Sequence, residues 1–127
     1  PVATRENVIE GKSFDFAVRA VKCFQILSKR SDSGPIARQF VRAATSIGAN
    51  IAEARDAQSR ADFISKTSIA LKEARESHYW IRLMAATDLL SAKEAQSLMT
   101  DCDELLRLLT SIVKTSRNSR PEKPSEQ

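Results

Sequence analysis

The chain has 127 residues, 42% of them hydrophobic and 28% charged, with a net charge of +4 and three glycines. That length suits one domain with a self-supporting core. Three glycines leave no room for a glycine-rich phosphate loop, and two isolated cysteines exclude a disulfide framework. Ala, Leu, Ser, Arg and Glu dominate over strand-favouring residues, so the expected fold class is all-α.

Residues 1–12 show no clean period and are expected to form a flexible arm. Ser13 is the expected cap of a first helix running to about Lys29. Its apolar residues fall in two rows, Phe14, Ala17, Val18, Val21 and Phe24 beside Phe16, Ala20, Cys23 and Leu27. Together they make a wider stripe than one neighbouring helix needs. Gly34 closes a polar turn, and Pro35 suits the first turn of a second helix reaching about Asp56. Ile36, Phe40, Ala43, Ala44, Ile47 and Ile51 supply its inner face, and Gly48 marks a bend or a close helix crossing.

Ser59, followed by Asp62, predicts the start of a third helix extending to about Ala86. Its stripe is Phe63, Thr67, Ala70, Leu71, Ala74, Ile81 and Met84. Ser91 and Glu94 form a capping box, the sharpest local signal in the chain. Beyond it Ala95, Leu98, Cys102, Leu105, Leu109 and Ile112 alternate steps of three and four, the repeat of left-handed helix packing. The tail 118–127 is polar, basic and proline-containing, and is expected to be disordered. Four long helices with short connections, over 13–117, predict an antiparallel up-down-up-down bundle.

Bases outnumber acids in the first half, where Arg19, Lys22, Lys29, Arg38 and Arg42 stand out. With Arg117 and Arg120 near the C-terminus they are the candidate contacts to a nucleic-acid backbone. Solvated helix faces explain the same charges equally well. The chain carries no apolar run of about 18 residues and no leader pattern, so the expected location is the cytoplasm, without a membrane partner.

No catalytic constellation is visible. His78 lacks a second histidine or cysteine at metal-ligand spacing, and Asp101, Asp103 and Glu104 lack the glycine of a calcium loop. Glu73 and Glu76 are an ordinary i, i+3 pair. The expectation is therefore no metal, no cofactor and no enzymatic activity. Tyr79 and Trp80 suit stacking on bases or, more commonly, core and interface packing.

Arg42, Ala43, Ala44, Ser46, Ile47, Asn50, Ile51, Ala52 and Glu53 follow an ordered pattern, and a second block runs from Phe63-Ile64 through Ser68 to Trp80, including Glu76. Over about residues 10–115 the chain resembles the four-helix bundle proteins encoded in intervening sequences of bacterial 23S ribosomal RNA genes. It departs from their pattern at Gly48, where proline is frequent, and at Ala54, where glycine is frequent. The resemblance implies a ring-like homopentamer without enzymatic activity. The chain is also similar to the accessory variability determinant of diversity-generating retroelements, a basic pentamer that binds nucleic acid and a reverse transcriptase. The partners implied are thus further copies of the chain, RNA or DNA, and a protein such as a reverse transcriptase. A scaffold that organises a partner protein without touching nucleic acid is the alternative. Arg42, Asn50, Glu53 and Glu76 are the candidate polar network, bonding across the bundle or between subunits, with Arg42 or Arg75 expected to offset Glu53.

Overall fold

The computed structural model describes residues 5–30 and 34–118. Among them are four helices and no strand: α1 (Arg5–Leu27), α2 (Gly34–Arg55), α3 (Arg60–Ala86) and α4 (Ala92–Asn118). Each helix packs on its neighbours in chain order, and α4 closes back onto α1 along the most lightly packed seam. At one end of the bundle Arg30 donates to the Leu89 carbonyl (3.3 Å). At the other, Arg60 donates to the Ser116 carbonyl (3.5 Å).

The caps act as their residue types dictate. The Ser59 hydroxyl accepts from the Asp62 amide (3.0 Å), and the Asp62 carboxylate accepts from the Gln58 amide (3.3 Å). Ser91 accepts from the Glu94 amide (3.1 Å). Helix α3 ends in a Schellman motif. Asp88 takes a left-handed φ of 62°, its amide reaches the Ala85 carbonyl, and the Leu89 amide reaches back to Met84 (2.9 Å). This geometry satisfies carbonyls that would otherwise be orphaned at the helix end. It also turns Leu89 and Leu90 inward, so the connection closes that end of the core.

The expected inner faces of α2, α3 and α4 are the ones that pack. Phe40, Ala44 and Ile47 meet Ala70, Ala74, Ile81 and Met84, and the α4 seam from Ala95 to Ile112 is buried throughout. Thr67 and Ser77 are buried among them, their hydroxyls donating to the carbonyls of Phe63 and Glu73 one turn back. No buried side-chain polar atom among the described residues lacks a partner.

Helix α1 departs from expectation at its start. It begins at Arg5, so residues 5–12 are helix rather than an arm; residues 1–4 lie outside the described residues, as does the tail from 119. Ile9 is 3% exposed and anchors these extra turns in the core. Ser13 is consequently not a cap but a buried interior residue, its hydroxyl donating to the Glu10 carbonyl (3.1 Å). Its small size has a packing use, because Gly48 of α2 crosses directly over it. A Cβ built at Gly48 would stand 3.4 Å from the Ser13 carbonyl oxygen, which identifies Gly48 with the close crossing.

Of the two apolar rows of α1 one enters the core, and the other reaches it only at Phe24. Phe16, Ala20 and Leu27 are buried and Cys23 is half-buried, whereas Phe14 (68% exposed), Val18 and Val21 face outward. Phe14 borders a groove between α1 and α2 lined by Gly11, Ala17, Thr45, Gly48, Ala49 and Ala52.

Candidate functional site

The densest polar cluster joins α2 to α3. Arg42 donates to Gln39 (3.3 Å) on its own helix, to Glu73 (3.3 Å), and to Glu76, which also accepts from the Trp80 indole N–H (2.8 Å). Glu73, Glu76 and Trp80 sit at helical spacings of three and four, so α3 offers them on one face opposite a single guanidinium. The Trp80 hydrogen bond holds the Glu76 carboxyl below its ordinary range, aided by the hydrogen bond and charge of Arg42 and opposed in part by burial. The same contact, with Glu76 foremost, raises the Arg42 pKa. Tyr79 packs edge-on against Trp80, with ring centroids 5.1 Å apart.

Of the expected network, Arg42 and Glu76 meet, and Asn50 and Glu53 do not join them. Asn50 donates to the Ser46 carbonyl (2.9 Å) and hydroxyl (3.1 Å) within α2. Glu53 is an exposed residue paired with Lys66 (3.0 Å), so its partner is neither Arg42 nor Arg75. Sequence reading missed Glu73 and Trp80 as members. The available signal was their shared face with Glu76.

The acid sensitivity of this cluster is testable. A carboxyl with a depressed folded pKa stabilises fully above its unfolded pKa and loses that contribution as pH falls through the folded value. Glu76→Gln is therefore expected to cost on the order of 1 kcal/mol at pH 7. The gap from the native protein is expected to close below the ordinary glutamate value of about 4.3. Urea midpoints of both proteins between neutral and acid pH measure this, and a gap that widens on acidification refutes the assignment.

The expected nucleic-acid contacts separate into two groups. Arg19 is committed to α4, bonding Asp101 (2.6 Å) and both the hydroxyl and the carbonyl of Ser97. Arg42 is committed to Glu73 and Glu76, and Arg117 donates to Ser68 (3.3 Å) far from the others. Lys22, Lys29 and Arg38 are exposed and make no ion pair among the described residues. Arg120 lies outside the described residues.

Cys102 is buried, its thiol donating to the Ala74 carbonyl (3.4 Å) and pushed up to a pKa of about 12, chiefly by burial. Burial also raises the half-buried Cys23 thiol. Neither is thereby poised as a nucleophile. His78 lies 3.5 Å from Asp103 across the α3–α4 seam. Among the described residues no group of three His, Cys, Asp or Glu side chains could hold a metal ion, and no helix is long and apolar enough to cross a membrane.

The described residues form a four-helix, all-α protein whose α2 and α3 are clasped through Arg42 and Glu76. The model of the 23S rRNA-intervening sequence protein family matches residues 5–111, and the chain belongs to that family. It is similar to the crystal structure, at 1.70 Å, of a protein of unknown function from the S23 ribosomal protein family of Bacteroides thetaiotaomicron VPI-5482, with 45% identity, a TM-score of 0.85, and coverage of 88% of this chain and 100% of that one. No curated protein matches it.

Proposed function

We propose that this protein is a cytoplasmic, non-enzymatic scaffold that assembles with copies of itself and binds RNA or DNA through its surface cations. In this reading the helices run up-down-up-down. The contacts Arg30–Leu89 and Arg60–Ser116 support that order, since each joins the end of one helix to the neighbourhood of the opposite end of another. The assembly is a homopentameric ring.

The observation that carries the reading is the division of α1. One apolar row is used by the chain's own core, and Phe14, Val18 and Val21 are left exposed, Phe14 at a groove of small residues, while Lys22 and Lys29 make no ion pair among the described residues. A sister copy covering the bare row removes apolar surface from water. Closure into a ring also multiplies the +4 of one chain, strengthening its attraction for a polyanion.

Sedimentation at equilibrium tests the assembly. The native chain is expected at five times its monomer mass, and Phe14→Asp with Val18→Asp at the monomer mass with helicity retained. A native monomer overturns the assembly. Binding to RNA and DNA titrated against salt tests the ligand: affinity is expected to fall steeply as salt rises. Absence of binding at low salt, or binding indifferent to salt, overturns that part. The small-residue floor of the α1–α2 groove also suits a helix of a partner protein. A protein that co-purifies and survives nuclease treatment identifies this second reading.

A further inference from the structure

We infer that the ligand is single-stranded nucleic acid held at one end of the bundle, with phosphates on the cations around the α1–α2 and α3–α4 connections and a base in the adjoining α3–α4 groove. This rests on the nucleic-acid reading above and gives it a place and a strand preference.

The Arg30–Leu89 contact brings the two connections to the same end. Lys29 follows α1, Arg82 lies near the close of α3, and Lys93 is in the first turn of α4; all are exposed. The Arg38 guanidinium folds over Gly34 at the start of α2, standing 3.1 Å from where a Cβ would be. None of these four makes an ion pair among the described residues. Against them stand the exposed Asp88 and Glu94. At the opposite end Glu10 is paired with Arg55, Glu53 with Lys66, Asp62 is engaged in the α3 cap, and the guanidinium groups of Arg60 and Arg117 donate to Ser116 and Ser68. Cations without an ion pair among the described residues thus gather at the end where the α3–α4 connection lies, two of them, Arg82 and Lys93, coming from outside the basic first half of the sequence.

The second observation distinguishes nucleic acid from other polyanions. A groove of about 610 Å³ between α3 and α4 has Arg82 in its lining with Tyr79, Ala86, Ala92, Gln96 and Met99, and Lys93 follows Ala92 in the chain. Tyr79 is 52% exposed and steadied edge-on by Trp80. An exposed, oriented aromatic next to a phosphate-binding cation is the arrangement on which an unpaired base stacks. The Gln96 amide offers both a donor and an acceptor to a base edge. A base inside a duplex cannot enter such a groove, and this sets the preference for a single strand.

Fluorescence anisotropy with a labelled single-stranded RNA of about 20 nucleotides, its DNA counterpart and a duplex of equal length, at low salt, tests this. The end variant carries Lys29→Glu, Arg38→Glu, Arg82→Glu and Lys93→Glu. The control carries Lys72→Glu, Arg75→Glu, Arg107→Glu and Lys114→Glu, and so has the same net charge. Circular dichroism and sedimentation establish that both keep the native helicity and assembly. The end variant is expected to lose roughly 30-fold or more in single-strand affinity and the control less than about threefold. Tyr79→Leu is expected to lose roughly 5- to 100-fold for the single strands and to leave the duplex unchanged. If the native protein binds but the control loses as much as the end variant, or Tyr79→Leu has no effect, the placement is overturned while the nucleic-acid reading stands. If the native protein binds neither RNA nor DNA, or only anionic lipid vesicles, that reading fails and the placement with it.

Discussion

Phe40→Ala is expected to destabilise the fold by about 3–5 kcal/mol, the range for truncating a fully enclosed aromatic. Phe40 is 0% exposed on α2 and packs edge-on against Phe16 of α1, with ring centroids 6.2 Å apart and planes at 86°. Truncation removes the ring's transfer free energy and its aromatic contact, and leaves a cavity. Neighbouring Ala37, Ala44 and Ala20 are too short to fill it. At roughly 4 °C per kcal/mol for a domain of this size, the thermal midpoint is expected to drop by more than 10 °C. Phe14→Ala, on the outward-facing row of the same bundle, is the control: with both variants made in a Val18→Asp/Val21→Asp background, which removes the rest of that row from any subunit contact, its site is open to water and its expected cost is within about 0.5 kcal/mol. Urea titrations of the paired variants decide it, and equal losses at the two positions refute the division of α1 into a core row and an outer row.

Ala74→Leu tests the opposite failure. Ala74 is 0% exposed on α3, and its carbonyl accepts the Cys102 thiol of α4, so α3 and α4 approach closely at this level. A branched side chain here has no opening to solvent and must displace the α3–α4 contact. The expected loss is about 1–3 kcal/mol. A companion observable is the reactivity of Cys102. Burial keeps that thiol protonated in the native protein, and forcing the helices apart is expected to speed its modification by an alkylating reagent at mildly alkaline pH. A variant with native stability and an unreactive Cys102 contradicts the close approach.

Much of this architecture was legible in the chain because its signals are local. The Ser59 and Ser91 caps, Pro35 in the first turn of α2 and the three-four alternation from Ala95 to Ile112 each report on a few consecutive residues, and each sits where expected. The start of α1 was not legible, because Ile9 is a lone buried anchor among Glu6, Asn7 and Glu10, and because Ser13 has the chemistry of a cap and the role of a spacer under Gly48. That role exists only once α2 is laid across α1. The site shows the same limit. Arg19, Lys22, Arg38 and Arg42 are alike in composition, and what separates them is whether a carboxylate distant in sequence reaches them: Asp101 reaches Arg19, and Glu73 and Glu76 reach Arg42. Tyr79 and Trp80 are adjacent in the chain yet diverge in use, since the Trp80 indole is bound to Glu76 and the Tyr79 ring remains accessible.

The light seam between α1 and α4 gives the fold an unequal resistance to opening. Charge pairs bridge other joints too, but on this most lightly packed one Lys12–Glu104 (3.1 Å) and Arg19–Asp101 (2.6 Å) have the least apolar packing behind them. Exposed attractions of this kind weaken as counterions accumulate. The barrel of helices therefore has a hinge side and a latch side, and raising the ionic strength is expected to loosen the latch, the edge along which the first and last helices meet.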